Sequence, residues 1–156
     1  MARPSLDRTD VALLAALAKN ARLSNKELAA AVDLAPSSTL ERFRRLVRDG
    51  WLRGFHADVE PAAFGLTLEA MIAVRLKQHS RDNFTAFREY VQTLPEVVAA
   101  YHMAGENDFL VHVRVRDADH LRDFAIDSFT TRPEVGHLDT SLVFEHLRGG
   151  SPLAEE

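Results

Sequence analysis

Between Pro36 and Arg53 the chain carries an apolar stripe and a basic face that suit a short helix buried on one side only. Wound at about 100° per residue, Leu40, Phe43, Leu46 and Val47 fall together, and Ser38, Glu41, Arg42, Arg45 and Arg48 cluster opposite them, with Thr39 and Arg44 at the edges. Gly50 stands where such a helix stops, and Trp51-Leu52-Arg53-Gly54-Phe55 then begins an extended, partly basic segment of the kind a wing would use. A hydroxyl- and guanidinium-bearing front on an apolar back suits a DNA major groove, where such groups bond base edges and phosphates. For an isolated helix, a solvated basic face would be the commoner reading.

The upstream sequence narrows the choice. Ser24-Asn25-Lys26-Glu27 has the form of a capping box and opens a short helix containing Leu28, Ala29 and Val32. Asp33-Leu34-Ala35-Pro36 is too short for another element and reads as the turn between two crossed helices. Earlier still, Val11, Leu14 and Leu17, broadened by Leu13 and Ala18, predict a first helix over 6–17, with Asp7 and Asp10 in its first turn, where the helix dipole favours acids. Three helices, a tight turn and a wing make a winged helix-turn-helix over residues 1–59.

Charge follows the same division. The chain has a formal net charge of −4, but residues 1–59 hold ten Lys/Arg and seven Asp/Glu, whereas residues 60–156 hold nine and sixteen. Five arginines and two acids lie between Pro36 and Gly54. A local basic patch suffices for phosphate contact, because screening confines exposed charges to about 10 Å. One such module binds feebly, so dimerisation is expected to supply affinity. The absence of cysteine excludes disulfides and thiolate metal sites. No apolar run approaches the roughly 20 residues of a membrane span and no signal-peptide pattern opens the chain, so a cytoplasmic protein without membrane partners is expected.

Residues 60–67, punctuated by Pro61 and Gly65, read as a linker, and residues 68–148 change rhythm. Ala70 to Lys77, Val97 to Met103, Phe109 to Val115 and Leu138 to Arg148 read as strands; Phe84, Phe87, Val91 and Leu94, and later Leu121, Phe124, Ala125, Ser128 and Phe129, read as helices. The order β-α-β-β-α-β predicts an α+β, ferredoxin-like sandwich with both helices on one sheet face. Residues 149–156 read as a loose tail. The uncovered face shows Leu110, His112 and Arg114, beside either Val98, Ala100 and His102 or the opposite set on the neighbouring strand. A half-polar face of this kind is best explained by packing on a second sheet in a dimer.

A winged helix-turn-helix joined to such a domain resembles the Lrp/AsnC (feast/famine) family of transcription regulators. The resemblance spans nearly the whole chain: Leu6-Asp7-Arg8-Thr9-Asp10 at the start, Ser24 to Ala29 and Leu40 to Leu46 in the second and third helices, Gly50 to Phe55 in the wing, and Gly105-Glu106-Asn107-Asp108-Phe109, which matches the family's Gly-x-x-Asp-aromatic loop. It implies double-stranded DNA as partner, homodimers assembling to tetramers or octamers, no cofactor, and a small-molecule effector, commonly an amino acid. The effector residues it implies are Gly105, Glu106, Asn107 and Asp108, with Thr140 and Ser141 of the last strand, Asp108 pairing with a ligand ammonium. For DNA, Ser37, Ser38, Thr39 and Arg42 are the expected groove contacts and Arg44, Arg45, Arg48 and Arg53 the phosphate contacts. Ala35 departs from the family's usual capping residue, so Ser38 with Glu41 is expected to cap the third helix.

Enzymatic readings find less support. His56, His79, His102, His112, His120, His137 and His146 form no ligand-like spacing, and neither a nucleophile elbow nor a phosphate loop is present. His102 and His112 could be neighbours on adjacent strands. The sirohaem decarboxylases share this two-domain plan and stand as the alternative, although a tetrapyrrole enzyme would not need the arginines of the third helix. A pure interaction module would leave that helix unexplained.

Overall fold

The computed structural model describes residues 4–147, so the expected tail at 149–156 lies outside them. The described chain divides into two compact units, meeting between Ala57 and Asp58.

In the first unit, α1 (Arg8–Lys19), α2 (Asn25–Ala31) and α3 (Pro36–Arg48) surround Leu13, Leu17, Leu28 and Leu46, joined by the partly buried Phe43, Trp51 and Leu52. The helix ends follow local chemistry. Asp7 caps α1 in a box with Asp10, and Ser24 caps α2 in the expected box with Glu27. The side chain of Asn25 ties α2 to α3 by donating to the Pro36 carbonyl at 2.8 Å. The buried stripe of α1 runs Asp10, Leu13, Leu17, whereas Val11 is exposed; Val47 of α3 is exposed as well. The cap expected from Ser38 and Glu41 does not form: Ala35 caps α3 with no side-chain bond, and Pro36 fits the first turn because it has no N–H to satisfy.

At the other end of α3, Gly50 takes a left-handed φ of 74°. Its N–H donates to the Val47 carbonyl and that of Trp51 to the Leu46 carbonyl, both at 3.0 Å, closing a Schellman turn that swings Trp51 onto the core. The wing segment beyond has no regular structure and forms no ladder at residues 51–59.

The second unit is a four-stranded antiparallel sheet of order β2-β3-β1-β4, comprising β1 (Leu68–Leu76), β2 (Val97–His102), β3 (Phe109–Val115) and β4 (Val135–Val143). The helix α4 (Arg81–Val91) follows β1. The helix α5 (Ala118–Ala125) follows β3 and widens into a single π turn over Ile126–Thr130 that buries Phe129. The core interleaves Ile72, Val74, Val111 and Val113 with Phe87, Phe124 and Phe129. β4 starts and ends earlier than its hydrophobic pattern suggests, because its partner β1 runs out at Glu69, opposite Val143. A register shift between Val97 and Ala99 selects the alternative β2 set: Ala99 and Tyr101 stand beside His112 and Leu110. His102 therefore lies opposite Phe109, in stacked contact with its ring, and on the sheet face away from His112, so the two histidines are not a pair.

Candidate nucleic-acid interface and effector loop

The third helix separates its polar residues into two groups. Ser37, Ser38, Glu41, Arg44 and Arg48 are exposed along one stripe, as is Arg53 beyond the turn. Arg42 and Arg45 instead lean on α1. One terminal nitrogen of Arg42 donates to Asp7 at 2.5 Å and to Asp10 at 2.9 Å, and Arg45 reaches the second Asp10 oxygen at 2.5 Å. The Asp10 side chain is only 2% exposed, those of Arg42 and Arg45 30% and 42%. A carboxylate so enclosed needs its partners, since an unpaired buried charge is far costlier than a paired one. The Arg42 hydrogen bond, helped by the Asp10 backbone, holds the Asp7 carboxyl below its ordinary range; the same bonds push the Arg42 guanidinium up.

Thr39 departs from the expected groove contact. It is fully buried, and its hydroxyl donates to the Ala35 carbonyl at 3.1 Å, so it fastens the first turn of α3 instead of facing a groove. The pairing of Arg42 and Arg45 with α1 goes beyond the sequence reading; its only signal there is two acids, one turn apart in a helix start, opposite a surplus of arginine.

In the second unit, the segment between β2 and β3 wraps the end of β1. Gly105 adopts a φ of 128°, a backbone state that favours glycine, with open space where a side chain would stand. Asp108 is buried: its N–H donates to the Val74 carbonyl at 2.9 Å and its carboxylate accepts the Leu76 N–H at 2.8 Å, with His79 Nε2 at 3.4 Å from the other oxygen. Asp108 thus clamps the loop to β1. Glu106 is exposed and receives a 2.7 Å bond from Arg75, while Asn107 Oδ1 and Arg75 Nε are buried without a partner.

Thr140 and Ser141 pair with Ile72 and Met71 on β4. Neighbouring strand residues face opposite sides, so Thr140 shares the helix side with Ile72 and Ser141 the open side with Met71. Measured from Val74, whose carbonyl accepts the Asp108 N–H, they lie two and three residues along β1, about 7–10 Å at the usual rise.

The open sheet face mixes Met71, Leu110 and Tyr101 with a polar cluster. Glu69 accepts a hydrogen bond from Arg114 Nε and lies 3.1 Å from His112 Nε2. Burial works to raise the Glu69 carboxyl, but the Arg114 and His112 bonds outweigh it and hold it low. Among the described residues no helix is long and apolar enough to cross a membrane, and no group of three or more His, Asp or Glu is placed to hold a metal ion.

Comparison with known proteins adds to this geometry. Residues 6–53 match the winged helix-turn-helix DNA-binding family and residues 69–153 the Lrp/AsnC ligand binding domain. The HTH-type transcriptional regulator AldR of Mycolicibacterium smegmatis is 44% identical over 148 residues, covering 95% of this chain and 86% of the relative. The leucine-responsive regulatory protein of Escherichia coli is 32% identical over 148 residues, covering 95% and 90%. A transcriptional regulator of Neisseria meningitidis, solved as a complex with L-Met, superposes with a TM-score of 0.87 at 30% identity, over 96% of this chain and 98% of the other.

Proposed function

The chain belongs to the Lrp/AsnC family of transcriptional regulators, and we propose that it binds its operators as a homodimer through α3 and responds to an amino acid held at the 105–108 loop. Its relatives are regulators, so DNA binding, and not tetrapyrrole decarboxylation, is its function. We take residues 1–59 as the DNA-binding domain, 60–67 as linker and 68–148 as the effector and assembly domain.

The exposed stripe of α3 carries this reading. Ser37 and Ser38 are presented to base edges, and Arg44, Arg48 and Arg53 to phosphates. Arg42 and Arg45 commit one terminal nitrogen each to α1, which leaves their other donors for the same front. The half-apolar open face of the sheet supports packing of two copies, sheet on sheet, with further assembly into tetramers or octamers. Thr140 and Ser141 are proposed to line the same effector pocket as the loop. The effector class follows from relatives: the Neisseria regulator was solved with L-Met.

A gel-shift titration against the DNA upstream of the protein's own gene, with and without pooled amino acids, tests the proposal. Salt-sensitive binding altered by an amino acid supports it, and binding indifferent to every amino acid removes the effector half. Arg44→Ala and Arg48→Ala should each reduce the salt slope of operator binding by about 1, with dimerisation unchanged. Asp108→Asn should blunt the amino-acid response and leave operator affinity intact.

A further inference from the structure

We propose that the groove between α4 and the edge strand β2 binds a small organic acid with an apolar body. The groove has a volume of about 790 Å³. It exists because β2 is a sheet edge whose helix-facing residues are small or short of cover: Val98, Ala100 and His102 are exposed although they point to the helix side. α4 supplies the wall, with Arg81, Thr85 and Arg88 at i, i+4 and i+7 on one face. Pockets of this size, mostly apolar with a few convergent polar groups, are the usual form of small-molecule sites.

Charge selects the ligand class. The C-terminal half holds nine basic and sixteen acidic residues, and its other arginines are largely spoken for: Arg75 by Glu106, Arg114 by Glu69, Arg122 by Asp119 and Asp123, Arg132 by Glu134. Arg81 and Arg88 have no ion-pair partner among the described residues, and no acid lines the groove. Arg81 and Arg88, whose backbones stand two helical turns and so about 10 Å apart along the axis, each offer the groove a guanidinium that can hold a carboxylate by charge-assisted bonds. The floor of Val98 and Ala100, closed at one end by the stacked rings of His102 and Phe109 with Phe84 tilted against them, fits the apolar body. An ammonium would find no carboxylate partner there. The site therefore favours a plain acid over an amino acid, and none of residues 104–108 lines it.

The test uses full-length protein with methyl-labelled Ala and Val, followed by methyl-TROSY spectra during titration with 3-phenylpropionate. Ala100 and Val98 report the groove, Ala99 the open sheet face and Ala104 the effector loop. The expected result is saturable shifts at Ala100 and Val98, with affinity at least tenfold weaker for L-phenylalanine and for 3-phenylpropylamine. In Arg81→Gln/Arg88→Gln the affinity should fall at least tenfold, and Ala100→Phe, which fills the floor while keeping both cations, should abolish the shifts. No shift, shifts centred on Ala104, equal binding of the amine, or undiminished affinity in the double variant would each overturn the assignment. Because Ala104 reads the loop separately, failure here leaves the effector-loop proposal untouched.

Discussion

The two units reach a single fold by different means. Among the described residues, the sheet unit closes around fourteen buried apolar residues drawn from β1, β3, β4 and the helices, with edge strand β2 contributing none. The three-helix unit has five, and sets α3 against α1 with a buried carboxylate held by two guanidiniums. A small unit with little apolar area to bury gains orientation from directional polar contacts, at the risk of dependence on each partner. The larger one spreads its stability over many interchangeable contacts. Where a surface must be presented at one angle, as for α3, the first arrangement serves better.

That contrast can be broken in order of expected effect. Phe87→Ala empties a site packed on Phe109 and Phe129 and should cost the sheet unit about 3–5 kcal/mol, leaving the helical unit unchanged. Asp10→Ala should cost the helical unit about 2–3 kcal/mol, less than a fully enclosed pair because both arginine heads are partly solvated. Calorimetry resolving two transitions checks both, and equal effects on both transitions would erase the distinction. Gly50→Ala forces a side chain into left-handed backbone and should cost about 1 kcal/mol.

Acid should sharpen the contrast further. Asp7 titrates below its unfolded value, so its contribution is complete above about pH 4 and disappears as pH falls through the lower, folded value. Glu27, held low by Ser24, behaves likewise in the same unit, so two carboxyls act there against Glu69 in the sheet unit. Trp51 is the chain's single tryptophan and packs on the helical core, so its fluorescence should report unfolding of that unit first as pH falls below about 4. A sheet transition that precedes the Trp51 change would contradict the comparison.

Local signals are legible in the sequence; contacts between distant residues are not. The Ser24–Glu27 box, the Gly50 stop and the alternation of Ile72, Val74 and Leu76 are written within a few residues of one another, and each appears in place. The helical wheel puts Arg42 and Arg45 on the front of α3, but it cannot see Asp7 and Asp10, which lie 32–35 residues away in the chain. Thr39 escapes the wheel for a related reason, since a hydroxyl that bonds back to the carbonyl four residues earlier can be buried without penalty. The face of His102 stays open in the sequence because a shift near Val97, invisible to a period-two pattern, sets the register of β2.

The buried Asp10 also bears on how such a regulator could be retargeted. Grafting a foreign recognition helix onto this scaffold would replace Arg42 and Arg45 and strand a negative charge in the interior. The transplantable cassette is therefore α1 together with α3, and drift in operator preference should proceed through paired changes at position 10 and at positions 42 and 45.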